Sequence, residues 1–213
     1  ACPRGQFQSS KSSANCILSD PGFFISSNGS FFQEECALGF FQFTVGSTSC
    51  LEARPGYYVD EVDRTSERPC PPGTFSNYSG SLREDCIEAE PGFFSVSAST
   101  KQTSCQPGYY QPISGQSGCL ESSPGHFSSG PSSTHQTPCP QGTFQSSSAS
   151  VDCLITPAGS FSSEGSIIPI PCPHGGVTSS EGSHYWSECD FDSDGDGISE
   201  FSDIYPNSKN SSI

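Results

Sequence analysis

The sequence predicts an all-β, small disulfide-rich fold: an elongated tandem-repeat rod of short strands and turns. Three observations predict it. The first is composition. Only 31% of the 213 residues are hydrophobic, against roughly 45–50% in ordinary globular chains. Gly (22) and Pro (18) are abundant and Ser supplies a further 44, which excludes a single large apolar core and disfavours long helices. No apolar run approaches the ~18 residues that a membrane-spanning helix requires. The second observation is a 17-residue period in Gly and aromatic residues. The third is twelve Cys that keep the same period in two alternating phases.

The period begins with Gly5 and continues through Gly22, Gly39, Gly56, Gly73, Gly92, Gly108, Gly125, Gly142, Gly159 and Gly175. Each step is 17 residues, except for a 19 and a 16 in the middle and a 16 at the end. Self-similarity of this kind marks a repeat architecture. We number the units 1 to 11 by these glycines. Two residues after each Gly comes an aromatic, from Phe7 and Phe24 to Phe144 and Phe161, with Val177 in unit 11. A Pro precedes the Gly by one or two positions in every unit except the third, where Leu38 stands. Pro fixes φ and Gly permits positive φ, so each unit should open on a tight turn. The aromatic beside it buries much area from a small chain and should anchor a miniature core. A Ser-rich stretch such as 145–150 follows and reads as a short exposed strand and turn. Units stacked end to end should contact mainly their neighbours, which gives the rod.

In odd units the Cys lies three residues before the Gly (Cys2, Cys36, Cys70, Cys105, Cys139, Cys172). In even units it lies six before (Cys16, Cys50, Cys86, Cys119, Cys153), and Cys189 closes the series. The structural period is therefore about 34 residues. It divides the chain into repeats at 1–35, 36–69, 70–104, 105–138 and 139–171, a half repeat at 172–189, and an acidic tail at 190–213. Twelve Cys allow on the order of 10⁴ connectivities. The gaps between them alternate between short and long. Pairing across the short gaps uses all twelve, as Cys2–Cys16, Cys36–Cys50, Cys70–Cys86, Cys105–Cys119, Cys139–Cys153 and Cys172–Cys189. Pairing across the long gaps leaves Cys2 and Cys189 to join neighbouring molecules. The short-gap set is favoured. Zinc is disfavoured, because no Cys-x-x-Cys pair occurs and the four His are not regularly placed near the Cys. Disulfides place the chain outside the cell or at its surface. With no Met and no apolar leader, it reads as a mature chain whose signal peptide is gone, or as a fragment.

Segments such as Cys139-Pro140-Gln141-Gly142-Thr143-Phe144 and Cys70-Pro71-Pro72-Gly73-Thr74-Phe75 resemble the ephrin-receptor-like, growth-factor-receptor-type cysteine-rich repeats. The resemblance covers residues 2–189. That family tends to carry Cys both six and three before the Gly, whereas each unit here keeps one of the two. If the Cys at minus three bonds the Cys at minus six of the next unit, both partners are missing together at every second junction. That fits the short-gap pairing. The junctions without a staple should then rely on aromatic packing.

The formal charge is −15, of which residues 188–213 carry −6 through seven acids and one Lys. Such acidity disfavours nucleic acid and anionic membranes and favours cations as partners. Residues Asp192, Asp194 and Asp196 with Gly197 match the Asp-x-Asp-x-Asp-Gly pattern of a calcium loop. Calcium takes six to eight hard oxygens, which alternate carboxylates on a turning loop supply. The Ile198 carbonyl, Glu200 (directly or through water) and Asp203 would complete the shell, and Asp190 extends the alternation. With Pro206 and Asn207 following, the stretch resembles a thrombospondin type 3 repeat, although Tyr205 stands where that family often has Cys. The expected cofactor is Ca²⁺.

Three sequons, at Asn28, Asn77 and Asn210, offer glycan sites. The segment His174-Gly175-Gly176 is explained by the turn of unit 11, and Glu34 and Glu35 by surface solvation in an inter-unit stretch. With no recognisable triad signature, the chain is expected not to be an enzyme. Trp186, with Tyr185, should pack the junction between repeats and tail. The functional expectation is an extracellular structural protein: the subunit of a surface fibre, stalk or filament that self-associates head-to-tail with calcium at its C-terminal end. The alternative is a receptor or adhesin ectodomain that binds a protein or glycan ligand. Its best candidate surface is Phe31-Phe32 and Phe40-Phe41-Gln42-Phe43.

Overall fold

The computed structural model of the protein describes residues 1–10, 15–173, 176–178 and 180–190. Among these, the chain is all-β, with eleven two-stranded sheets. Helix is confined to short 3-10 turns such as Arg83–Asp85 and Trp186–Glu188. The chain divides into two compact units. One comprises Ala1–Thr103 with Ile113–Gly118, and the other Ser104–Pro112 with Cys119–Ile213.

Each sequence unit is one hairpin. In unit 1 the Gln6 N–H donates to the Pro3 carbonyl (3.1 Å), closing the Pro-Gly turn, and Gly5 takes φ +80° inside it. Gln6–Phe7 then pairs antiparallel with Ile17–Leu18, which puts Phe7 opposite Ile17. The same register recurs in unit 3 (Phe41 opposite Leu51) and in unit 9 (Phe144 opposite Leu154). Most strands are two residues long; Tyr57–Val59 with Glu67–Pro69 reaches three. The Ser-rich stretches are not strands. Residues 146–150 form the hairpin loop, and the strand is the dipeptide that ends in the aromatic. A second left-handed residue sits six or seven places after the repeat Gly and turns the loop. Gly29, Gly46, Gly80, Gly115, Gly165 and Gly182 fill this position, and Ala98, Ser132 and Ala149 fill it without being glycine.

The interior also differs from the expected stack of rings. Only Phe41 and Tyr58 among the repeat aromatics are buried; the rest are half-exposed. The buried positions flank them. Three residues before the Gly, odd units bury Cys (Cys36, Cys70, Cys105 and Cys139 have no exposure) and even units bury Ser19, Ala53, Ala89, Ser122 and Thr156. Three residues after it lie Ile25, Gln42, Val59, Ser76, Ser95, Gln111, Ser128, Gln145 and Ser162, also buried. The pleat explains this: the aromatic faces partly outward, and its neighbour one step on faces inward.

Within each compact unit, backbone hydrogen bonds join successive hairpins, and the same three recur at most junctions. The repeat Gly N–H donates to the carbonyl of the buried plus-three residue of the next unit: Gly5 to Ile25, Gly22 to Gln42, Gly56 to Ser76, Gly108 to Ser128. The plus-three N–H donates to the following loop, as Ile25 to Ser47, Val59 to Ser81, Ser128 to Ser150 and Ser162 to Ser183. The minus-three carbonyl accepts from the second left-handed residue of the next unit: Cys2 from Gly29, Ser19 from Gly46, Ala53 from Gly80, Cys139 from Gly165. These buried polar groups are thus paired without long strands, as burial requires. Contact also reaches one full 34-residue period ahead. A Cβ added to Gly39 would collide with the Gly80 carbonyl, and one on Gly142 with that of Gly182. At these two positions the repeat Gly is required for its positive φ and for this approach together.

Candidate functional site

The six disulfides join Cys2–Cys16, Cys36–Cys50, Cys70–Cys86, Cys105–Cys119, Cys139–Cys153 and Cys172–Cys189. This is the short-gap set. Each bond closes one odd hairpin, tying the residue before the turn to the residue before the second strand (in hairpin 11, to Cys189, the first residue of that strand), with Cα atoms 5.7–5.8 Å apart. There are no free cysteines among the described residues.

Four of the five even hairpins are closed instead by a polar clasp, whose acceptor stands at the place of the second Cys, where aromatic packing was expected. A Gln or Glu ten or eleven residues after the Gly accepts from the backbone N–H two residues before it. Gln33 Oε1 takes the Asp20 N–H (2.8 Å), Glu67 Oε2 the Arg54 N–H (2.9 Å), Gln102 Oε1 the Glu90 N–H (2.8 Å) and Gln136 Oε1 the Ser123 N–H (2.7 Å). In units 2 and 6 the amide also donates back, from Gln33 Nε2 to Asp20 Oδ2 and from Gln102 Nε2 to Glu90 Oε2. In unit 4 Arg54 Nε donates to Glu67 Oε1 (2.6 Å). That hydrogen bond, with the Glu67 charge, raises the guanidinium above its ordinary value. Unit 10 has Pro157 at the donor place and Pro169 at the acceptor place, so the N–H and its partner are lost together.

Unit 4 departs from the frame. Its loop has Asp63 where six other units have Gly, and the Asp63 carboxylate accepts from the Thr65 hydroxyl (2.5 Å) and N–H (3.2 Å). These bonds, with Arg68 at 3.2 Å, hold its carboxyl below the usual carboxylate range. Arg64 replaces the missing backbone donor: its Nη1 donates to the Cys36 carbonyl and pairs with Glu35 at 3.4 Å.

Of the expected calcium ligands, Asp190 is half-exposed at the end of the last strand, opposite Val177. Asp192, Asp194, Asp196, Ile198, Glu200 and Asp203 lie outside the described residues, as does Asn210. Among the described residues no group of three His, Cys, Asp or Glu is placed to hold a metal. Asn28 and Asn77 are exposed, and Asn28 Oδ1 accepts from the Arg4 N–H at 3.0 Å. Glu34 and Glu35 form the second strand of hairpin 2, exposed, rather than an inter-unit stretch. Trp186 is 71% exposed, and Tyr185 meets His184 with ring centroids 4.4 Å apart; the tail beyond Asp190, against which they were expected to pack, lies outside the described residues. In the aromatic region, Phe31, Phe32 and Phe43 are 56%, 69% and 61% exposed, while Phe41 is buried. No other Phe is so exposed among the described residues.

The clasps, the second left-handed position and the plus-three column were missed in the sequence. The signal was present: Gln33, Gln102 and Gln136 keep the repeat frame, and so do six of the loop glycines. No helix among the described residues is long and apolar enough to cross a membrane. The chain matches no known family model, and no curated protein matches it.

Proposed function

We propose that the chain is an extracellular structural repeat protein, a subunit of a surface fibre, stalk or filament that grows head-to-tail. The observation that carries this reading is the recurrence of the same backbone bonds at successive junctions. A hairpin built this way offers its successor the groups that its predecessor offered it. Addition of like to like through two different surfaces is an open, heterologous assembly. Six disulfides support an oxidising, extracellular setting. Calcium at Asp190, Asp192, Asp194, Asp196, Ile198, Glu200 and Asp203 would neutralise the tail and let it dock on the next subunit. Glycans at Asn28, Asn77 and Asn210 would coat the surface. In this reading the chain has no enzymatic role.

Negative-stain imaging and sedimentation with calcium and with chelator test the assembly. Calcium-dependent polymers are expected; an unchanged monomer in both conditions overturns it. A second reading, a receptor or adhesin ectodomain for a protein or glycan, draws on the exposed Phe31, Phe32 and Phe43. Under it, Phe31→Ser with Phe43→Ser abolishes ligand capture while the fold persists.

A further inference from the structure

Hairpins 2 and 3 form an open depression of about 260 Å³, lined by Phe24, Ala37, Phe40, Ser49 and Cys50. Phe40 stands just after the repeat Gly of hairpin 3, where hairpins 1, 5, 7 and 9 carry Gln6, Thr74, Tyr109 and Thr143 and hairpins 2 and 6 carry Phe23 and Phe93. The floor of the depression is two aromatic rings and a small aliphatic. The volume lies below the ~300 Å³ at which small-molecule pockets begin and suits one large apolar side chain.

The rim is acidic. Glu34 lies directly across the ladder from Phe24, and Glu52 directly across from Phe40. Opposed residues of an antiparallel pair share a face and lie about 5 Å apart. Both carboxylates are exposed and make no ion pair or hydrogen bond among the described residues, whereas the neighbouring Glu35 is matched by Arg64. No Lys or Arg occurs between Lys11 and Arg54 to neutralise them. An apolar seat between two unmatched carboxylates is complementary to an apolar side chain between cations. We propose that this depression docks a basic segment of a partner polypeptide, seating one apolar side chain on Phe24 and Phe40 with flanking Lys or Arg against Glu34 and Glu52.

The test uses the full chain and a fluorescent five-residue peptide with one leucine between two pairs of lysines. The control peptide has serine in place of leucine. The leucine peptide is expected to bind, and the serine peptide to bind about tenfold more weakly or worse, the scale of a lost anchor side chain. Phe40→Thr installs the residue that hairpins 5 and 9 carry there, so folding should persist by circular dichroism while binding falls by a similar factor. Glu34→Gln with Glu52→Gln should also weaken binding. Equal binding of the two peptides, or wild-type binding by the Phe40→Thr variant, overturns the proposal. So does self-association of the wild type in sedimentation that Phe40→Thr removes, because the occupant would then be a second copy of the chain.

Discussion

Odd and even hairpins share one backbone and differ in what closes them. In an odd hairpin a disulfide joins the residue before the turn to the residue before the second strand. In an even hairpin those places carry a small buried residue, such as Ser122 or Ala89, and a Gln or Glu that clasps a backbone N–H. The covalent closure acts mainly by restricting the unfolded chain, by about 3 kcal/mol for loops of this length. The clasp contributes about 0.5–1.5 kcal/mol as an ordinary hydrogen bond. Yet both kinds of hairpin have the same register, and both are joined to their neighbours by the same backbone bonds. The comparison teaches that the disulfide is needed once per 34 residues. A hairpin without one is held in register by stapled neighbours.

The comparison is broken most severely by removing a staple. Replacing Cys105 and Cys119 together by Ala should lower stability by about 3 kcal/mol, read from denaturant midpoints at unchanged slope. Next, a staple can be grafted. Ser122→Cys with Gln136→Cys places Cys at the two positions equivalent to Cys105 and Cys119. It should form a seventh disulfide and raise stability by about 2 kcal/mol, the staple less the lost clasp. Mass spectrometry under non-reducing conditions checks the bond. Third, Gln136→Ala frees the exposed Ser123 N–H to water, at a cost of about 1 kcal/mol, clearly less than the Cys pair. Fourth, the Ser128 hydroxyl is buried with no partner, in a column that holds Ile25 and Val59 in other even units. Ser128→Ala should therefore be neutral or stabilising by up to about 1 kcal/mol, measured by thermal melting.

The smallest effect is in unit 4, which carries a carboxylate where six other loops carry Gly. Asp63 has its pKa depressed by the Thr65 and Arg68 bonds. The stabilisation it contributes is thus present above the ordinary carboxylate pKa and is lost as pH falls through the depressed value. Titration of the Asp63 carboxyl followed by NMR should show that midpoint below a free Asp, with the Thr65 amide shifting alongside. A midpoint at or above that of free Asp would contradict it.

The hairpin period and the fold class were legible because Gly, Pro and Cys are punctuation, and each has a steric or covalent reason to recur. The burial pattern was less legible. A two-residue strand gives no alternation to read: an aromatic such as Phe75 or Phe144 reads as the interior, whereas the residue one step on, Ser76 or Gln145, is the buried one. The polar clasps were hidden because Gln in a Ser-rich chain looks like surface. Only the frame that places Gln33 and Gln136 where odd hairpins put Cys gives them away. Arg64 was illegible for another reason: its role arises from a missing backbone donor three units into the array.

The central claim is that a shared backbone ladder, not the staple of each hairpin, holds the even units in place. Hydrogen exchange of the oxidised protein tests it most directly, at the plus-three amides. Ile25, Val59, Ser128 and Ser162 lie in even units, and Gln42, Ser76 and Gln145 in odd ones. The account predicts strong protection of both sets. Odd amides that are protected while even amides exchange at the rate of an unfolded chain would contradict it.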